Sequence, residues 1–216
     1  ASTATTYAHI NLSSGVTYTY QVSAINTVGS GVASTTVSSV AGDVPDAPVL
    51  TLTALPSNTI QSDWTTPADN GFAITTYQIE RSADAGTTWV PVTSVNANTF
   101  QDPNLTNSVT YQYKVSATNL VGSSAFSGVV QIVAGDSPGT VNPLTATTTS
   151  NTSIDLAWTT PNPNGYAVTG YFIERSVDSG ATWSTLVANT QSLSIGYSDT
   201  GLTTGTIYTY QVSAIN

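Results

Sequence analysis

Carboxylates are the most numerous charged side chains in this sequence. The chain carries 12 Asp and Glu, against three Lys and Arg and one histidine, His9. A carboxylate pair can hydrolyse a glycosidic bond, but aspartates in turns are explained by hydrogen bonds to the nearby backbone. One histidine cannot supply a recurring Ser-His-Asp triad, so no catalytic residue is predicted and the protein is not predicted to be an enzyme. We expect turn or polar strand positions for most of Asp63, Asp69, Asp84, Asp102, Asp155, Asp178 and Asp199.

Metal binding is restricted by the same composition. The chain has no cysteine and His9 stands alone, which excludes zinc and iron–sulfur centres. Calcium prefers hard oxygen ligands, and Asp43, Asp46 and Asp136 lie close to the predicted domain linkers. The alternative is that these acids are solvated linker residues beside prolines that limit flexibility. The second interpretation is favoured, so no cofactor is predicted.

Two features of the sequence could involve glycans, the Asn-x-Ser/Thr triplets and a pair of tryptophans. Three Asn-x-Ser/Thr triplets could carry N-linked glycans, at Asn11, Asn104 and Asn151, although such triplets arise easily by chance in a Thr-rich chain. Trp89 and Trp183 could stack on sugars if exposed, but packing against their own sheet is favoured.

The charge balance excludes two classes of partner. The formal net charge is −9 and only 7% of residues are charged, so no basic face exists for nucleic acid or an anionic membrane. No run of 18 apolar residues occurs, and no membrane insertion is predicted. Low charge, no cysteine and many hydroxyls are typical of a secreted microbial surface protein, so the localisation is predicted to be extracellular. Because the chain begins at Ala1 without Met, we expect a processed product or a piece of a longer protein.

The elements that would position these side chains recur along the chain. Trp64 returns as Trp158, 94 residues later, and the nine-residue segment that begins at Tyr18 returns unchanged at Tyr208. The segment that begins at Tyr111 is their relative. The signature Val-Ala-Gly-Asp also occurs twice, ending at Asp43 and Asp136. The repeat is therefore about the size of one small β-sandwich.

Alternation of apolar residues predicts strands within one repeat. The segment from Val109 to Ala117 alternates cleanly, and Lys114 within it points away from the core. Short strands separated by Pro, Gly, Asn and Asp indicate an antiparallel two-sheet sandwich. They are predicted over residues 49–54, 59–65, 73–81, 89–95, 99–100, 109–117 and 125–133.

These units resemble fibronectin type III domains. The strand-B tryptophan of that family matches Trp64 and Trp158, and its corner tyrosine matches Tyr18, Tyr111 and Tyr208. The resemblance implies that each corner tyrosine bonds its hydroxyl to the backbone of the loop before it. It also implies that the strands of Glu80 and Lys114 are neighbours, so an ion pair between these two residues is expected. Ser108 stands where a corner glycine is expected, which weakens the turn there. The implied fold class is all-β, as tandem antiparallel β-sandwiches.

The domain boundaries leave two partial units. Residues 1–43 would hold the E, F and G strands of one domain, residues 44–135 a complete domain, and residues 136–216 a domain without strand G. Either the chain is a window of a longer array, which is favoured, or an open sheet edge accepts residues 30–40 of a second copy. Repeated head-to-tail exchange of this kind builds a filament.

The predicted function is therefore a structural subunit or segment of an extracellular surface filament or fibre. Its partners would be copies of itself, with other surface proteins or glycans as further candidates. The alternative function is a set of non-catalytic spacers or weak carbohydrate-binding modules in a secreted multidomain enzyme or adhesin.

Overall fold

The computed structural model describes residues 4–216, in which the chain is all-β and forms no helix. Antiparallel pairing joins neighbouring strands. In chain order the strands are β1 (Thr17–Tyr20), β2 (Val37–Val40), β3 (Leu50–Leu55), β4 (Thr59–Trp64), β5 (Thr76–Ser82), β6 (Val90–Val95), β7 (Thr99–Asp102), β8 (Thr110–Thr118), β9 (Val130–Val133), β10 (Leu144–Ser150), β11 (Ser153–Trp158), β12 (Gly170–Ser176), β13 (Ser184–Val187), β14 (Gly196–Thr200) and β15 (Thr209–Ile215).

The seven strands from β3 to β9 form two sheets, in the orders β3-β4-β7 and β6-β5-β8-β9. The predicted alternation in β8 is confirmed, because Tyr113, Val115 and Ala117 are all fully buried. Trp64 of β4 packs on Tyr77 of β5 with ring centroids 5.5 Å apart. The buried aromatic and aliphatic rows explain why this sequence folds as strands rather than helices.

The next six strands repeat this arrangement, in the sheet orders β10-β11-β14 and β13-β12-β15. Trp158 and Tyr171 pack with centroids 5.0 Å apart, inside a cluster that also includes Leu156, Ile173 and Val212. Trp158, Tyr171 and Ile173 therefore repeat Trp64, Tyr77 and Ile79 of the middle module, whereas Leu156 stands where that module buries Ser62.

Two aspartates do not follow the prediction of turn or polar-face positions. Asp102 and Asp199 are only 5% and 4% exposed. Asp199 on β14 accepts a bond from Arg175 of β12 at 3.0 Å and one from the Tyr210 hydroxyl at 2.8 Å. Burial is tolerated because a charged partner and a hydroxyl satisfy the carboxylate. This group links the two sheets of the module.

The closing strand of the middle module is shorter than predicted, since β9 covers only Val130–Val133. Before it, the Ser124 and Ser127 hydroxyls accept the backbone N–H groups of Ala117 and Val115. Serine hydroxyl oxygens therefore replace backbone carbonyls as the acceptors for these two N–H groups of β8.

The first segment carries two strands in its described residues 4–43, the antiparallel pair β1-β2. The described residues before β1, 4–16, do not form the strand E expected there. Several apolar side chains of this first segment are exposed, including Tyr7, Ile10 and Val22.

The contacts within the chain divide it into two compact units. One comprises the residues up to Leu52 with Ser62–Phe100 and Tyr111–Gln131, and the other comprises Thr53–Gln61, Gln101–Thr110 and Ile132–Asn216. Each unit therefore includes one of the two linkers between predicted domains. The boundaries 1–43, 44–135 and 136–216 stay a prediction.

Candidate functional site: two bonded linker junctions

Two linkers, residues 41–49 and residues 134–143, recur along the chain and form backbone hydrogen bonds to loops outside the sandwich cores. We call them linker 1 and linker 2. Each meets a corner loop that precedes it in the chain and an Asn-Gly loop that follows it. Linker 1 with its two loops is junction 1, and linker 2 with its two loops is junction 2. The corner loops are residues 13–16 and 106–109, and the Asn-Gly loops are residues 65–75 and 159–169.

Junction 1 holds its linker by backbone hydrogen bonds on both sides. On the corner side, Gly15 N donates to Ala41 O at 2.8 Å and Ala41 N donates to Val16 O at 3.0 Å. On the loop side, Asp43 N donates to Asn70 O at 2.9 Å, and a second bond joins Asp46 N to the loop. The linker is therefore tied to structure before and after it.

Junction 2 repeats the same bonds with other side chains. Ser108 N donates to Ala134 O at 2.9 Å, and Ala134 N returns a bond of 2.9 Å to the corner loop. Asp136 N donates to Asn164 O and Gly139 N donates to Asn162 O, both at 2.8 Å. Backbone polar groups near the linker thus find partners within the protein.

A glycine and an aromatic ring pack closely at both junctions. A Cβ on Gly42 would lie 2.6 Å from the Phe72 ring, and a Cβ on Gly135 would lie 2.7 Å from the Tyr166 ring. Real Cβ atoms do not approach carbon atoms this closely, so only glycine lets the ring lie against the linker. The Tyr166 hydroxyl also donates to Val133 O at 2.6 Å, and burial raises the pKa of Tyr166.

Glycine is also required in each Asn-Gly loop. Gly71 has a φ of 101°, and a Cβ there would lie 2.5 Å from Gly15 N. Gly165 has a φ of 102°, and a Cβ there would lie 2.7 Å from Ala134 O. Because both obstacles are backbone atoms, a side chain could not be accommodated by a change of rotamer.

The asparagine before each of these glycines binds the linker through its side chain. Asn70 Nδ2 donates to Val44 O at 2.9 Å and to Asp46 Oδ1 at 3.1 Å. Asn164 Nδ2 donates to Ser137 O at 2.8 Å. Both asparagines have positive φ, 53° and 49°, which asparagine tolerates better than most residues.

A third asparagine, at the end of strand β8, supports junction 1 from inside the module. Asn119 is 5% exposed. Its Nδ2 donates to the carbonyls of Asp43 and Asp69 at 2.8 and 2.9 Å, while its Oδ1 accepts from Val121 N and Gly122 N. All four hydrogen-bonding positions of the amide are used. Asn216 makes the corresponding bond to Asp136 O at 2.9 Å.

The candidate calcium ligands bind the linker backbone instead of gathering into one cluster. Asp43 Oδ1 accepts from Val44 N and Asp136 Oδ1 accepts from Ser137 N, both at 2.7 Å. Hydrogen bonds from the backbone of Ser57 and Ser137 hold the pKa of Asp136 below its ordinary value. Across residues 4–216, no group of three or more His, Asp or Glu is placed to hold a metal ion.

The tryptophan and tyrosine markers lie in the cores and corners. Trp64 and Trp158 are 5% and 3% exposed. The hydroxyls of Tyr18 and Tyr208 each accept a backbone N–H of the loop before them at 3.0 Å, and the Tyr111 side chain is buried. Tyr18 therefore holds the corner loop of junction 1, and Tyr208 holds the corresponding loop after β14.

The remaining candidates lie away from the junctions. The predicted ion pair is confirmed, with Lys114 Nζ 2.9 Å from Glu80. Lys114 Nζ also lies 4.3 Å from the Trp89 and Phe126 ring centroids, so an ammonium covers that Trp89 face. His9 accepts or donates one bond with the Tyr20 hydroxyl at 3.0 Å. The asparagines of the three triplets, Asn11, Asn104 and Asn151, are exposed.

Sequence reasoning missed the Asn-Gly loops, although a signal was present. Asn70-Gly71-Phe72 returns as Asn164-Gly165-Tyr166, 94 residues later. The linker signature that ends at Asp43 and Asp136 was recognised, but its partner loop was not. The structure brings the two recurring motifs together at each junction.

Across residues 4–216, the structure contains no helix of the length and apolarity that a membrane crossing requires.

Comparison with known proteins agrees with this architecture. The model of the fibronectin type III domain matches residues 46–133 and 137–216. Exoglucanase B of Cellulomonas fimi is 30% identical over 98% of this chain and 20% of that protein. Fibronectin type-III domain-containing protein 3A of Pongo abelii is 26% identical over 94% of this chain and 18% of that protein. The chain thus spans about a fifth of the length of these curated relatives.

A solved structure supports the fold independently. The FN1–FN3 domains of chicken CNTN1 superpose with a TM-score of 0.57 at 22% identity, covering 94% of this chain and 71% of that one. The predicted sandwich fold and its repetition are confirmed. Together with the family matches, these features show that the chain belongs to the fibronectin type III family.

Proposed function

We propose that the chain is a non-catalytic spacer segment of an extracellular protein, in which tandem modules hold other parts of that protein at a set separation. The observation that carries the proposal is the bonding of each linker on both sides. Flexible linkers are rich in glycine and serine and leave their backbone to water. The backbones of linker 1 and linker 2 instead bond to the loops before and after them.

The chemistry of the junctions supports a mechanical role. The contacts are backbone hydrogen bonds, an aromatic ring on a glycine and an amide on a carbonyl, and none of them presents a nucleophile paired with a base. One curated relative is named an exoglucanase, and the matched segment is 20% of its length. That proportion agrees with a spacer that lies between other domains of a larger secreted protein.

Distance measurements between spin labels test the proposal. The chain has no cysteine, so two introduced cysteines can be labelled specifically. We suggest Thr17→Cys with Val90→Cys for junction 1 and Thr110→Cys with Ser184→Cys for junction 2, since all four residues are exposed. A narrow distance distribution is expected for each pair.

The matched control inserts a short Gly-Ser segment after Gly42 or Gly135. The insertion moves the linker out of register with its loops and should broaden the distribution. If the native chain gives distributions as broad as the insertion variants, the junctions do not fix the modules and the spacer proposal is wrong.

A second candidate function is the filament, and the exposed apolar side chains of the first segment favour it. Tyr7 and Val22, exposed by 85% and 72%, line an open groove of about 510 Å³ together with Val37. Strand β15 lies at the edge of its three-stranded sheet, where residues 30–40 of a second copy could add as a strand. Sedimentation should then show species that lengthen with concentration, and deletion of residues 30–40 should abolish them. A chain that stays monomeric at high concentration contradicts the filament without affecting the spacer proposal.

Glycosylation at Asn11, Asn104 and Asn151, adhesion to other surface proteins and binding of free glycans remain predictions.

A further inference from the structure

The chain contains two Asn-Gly dipeptides, and both lie at the junctions. They are Asn70-Gly71 and Asn164-Gly165. Each pair is half-buried and each asparagine amide donates to a linker carbonyl. The same reactive dipeptide therefore occupies the same contact twice.

We propose that Asn70 and Asn164 are sites of spontaneous deamidation, and that this covalent modification loosens the junctions as the protein ages. The backbone nitrogen of the following glycine attacks the asparagine Cγ. The new N–C bond closes a succinimide ring while the side-chain amide leaves as ammonia, taking the proton from the attacking nitrogen. Water then opens the ring at one of its two carbonyls and leaves aspartate or isoaspartate. One water is consumed, one ammonia is released and no oxidant or reductant is needed.

Glycine is what makes these two positions reactive. Without a Cβ, glycine hinders attack by its own backbone nitrogen least and permits the widest range of dihedral angles. At junction 1 ring closure must also break the bond that Gly71 N donates to Asp69 Oδ1 at 3.1 Å. Every other asparagine that is followed by a residue in this sequence precedes one with a side chain. Asn96, which is exposed and precedes Ala97, is a suitable internal control.

The products are incompatible with the contacts at the junctions. A carboxylate has no hydrogen to donate, so conversion of Asn70 leaves Val44 O without its present donor at 2.9 Å. It also places a negative charge beside Asp46, whose carboxylate oxygen is now 3.1 Å from the amide nitrogen, and like charges repel.

Isoaspartate disturbs the backbone as well. It adds a methylene to the main chain immediately before Gly71 or Gly165. The space beside Gly71 is already filled, since a Cβ there would lie 2.5 Å from Gly15 N. The loop must then shift away from the corner.

The two junctions should react at different rates. Ring closure requires the asparagine side chain to leave its hydrogen-bond acceptors. Asn70 is held by two acceptors and Asn164 by one. One net hydrogen bond corresponds to about a fivefold change in an equilibrium, so Asn164 should convert about fivefold faster. Both should convert more slowly than in the unfolded chain.

Peptide mapping by mass spectrometry tests the chemistry. The full chain is incubated at mildly alkaline pH, native and in urea, and digested at intervals. We expect the mass increase of an amide-to-acid conversion at both Asn-Gly sites, first at Asn164, with Asn96 unchanged. If the native chain shows no conversion at Asn70 or Asn164 while the urea sample converts, the proposal is wrong.

Designed variants test the consequence separately. Asn70→Asp and Asn164→Asp reproduce one product, and Asn96→Asp is the matched control. Each junction variant should broaden the spin-label distance distribution across its own junction and speed proteolysis of its own linker, with no change at the other junction. Variants that retain native distances and native protease resistance would show that deamidation does not loosen the junctions. Because native distance distributions are measured first, failure of the spacer proposal is seen independently.

Discussion

Junction 1 and junction 2 share their backbone contacts and differ in the side chains that support them. Both place a glycine under an aromatic ring and bond the linker on two sides. Junction 1 adds a side-chain bond between Asn70 and Asp46. Junction 2 adds the Tyr166 hydroxyl on Val133 O and a Ser57 backbone bond to Asp136.

This difference indicates which parts of a junction are required. Where a Cβ would meet backbone atoms, both junctions keep glycine, because no side-chain adjustment relieves such a contact. The additional side-chain hydrogen bonds, in contrast, differ, from Asn70 to Asp46 at junction 1 and from Tyr166 to Val133 O at junction 2. The shape of the backbone and the asparagine amide are therefore the common requirements, and the additional polar support is interchangeable.

The largest effect is expected when the close glycine is changed. Gly71→Ala and Gly165→Ala should each destabilise their junction by about 1–3 kcal/mol, since alanine is strained at these φ values and its Cβ meets backbone. Thermal unfolding and the spin-label distances give the measurement. Gly128→Ala is the control, because no atom lies within 4 Å of a Cβ there, and it should have little effect. Equal effects of all three changes would contradict the close-approach argument.

Removal of the buried asparagine of junction 1 comes next. Asn119→Ala deprives two carbonyls and two N–H groups of their partner, and should cost about 2–3 kcal/mol. Asn216→Ala, at the exposed equivalent position, should cost less. Denaturant unfolding curves measure both costs, and equal unfolding free energies for the two variants would contradict the role of the buried amide.

The hydroxyl at junction 2 should contribute a smaller amount. Tyr166→Phe removes the bond to Val133 O and should destabilise by about 0.5–1.5 kcal/mol. Phe72→Tyr is the reciprocal change and should bring junction 1 closer to junction 2 in stability. A Tyr166→Phe variant that melts like the native chain would show that the ring alone provides the contact.

Acid should weaken junction 2 through Asp136. The pKa of this carboxyl is held below its ordinary value of 3.8, so its contribution is present above that value and is lost as the pH falls through the folded pKa. The distribution of distances between the spin labels at positions 110 and 184 should broaden as the pH is lowered. Asp136→Asn should remove the part of this change that the carboxylate causes. Local labels are needed because Asp84 and Asp178, each with a pKa of about 2, weaken both modules in acid.

The smallest effect concerns the corner residue that differs between the junctions. Ser108 has a φ of 64°, where Gly15 has 76°. Ser108→Gly should relieve left-handed strain and stabilise junction 2 by less than about 1 kcal/mol, since the flexibility of glycine offsets part of the gain. Gly15→Ser should have the opposite sign at junction 1. Calorimetric melting temperatures of the two variants test this prediction, and shifts of the same sign in both variants would contradict it.

Several parts of the fold could be predicted because they depend on local pattern. Alternation in β8 predicted the buried row of Tyr113, Val115 and Ala117, and the resemblance to fibronectin type III domains placed the corner tyrosines Tyr18 and Tyr208. The predicted strand ends were less accurate. The closing strand was predicted from residue 125 but begins at Val130. Before Val130, serine hydroxyls replace backbone carbonyls as the acceptors for N–H groups of β8.

The sequence alone determined the size of the repeat, the two-sheet fold and the positions of the linkers, because strand alternation and turn residues act over a few neighbouring positions. Only the tertiary structure decided what the linkers touch. Gly42 meets Phe72 and Gly135 meets Tyr166, about 30 residues away along the chain. Such contacts depend on how folded loops approach one another, and the same is true of the buried Asp199, whose partners Arg175 and Tyr210 come from two other strands.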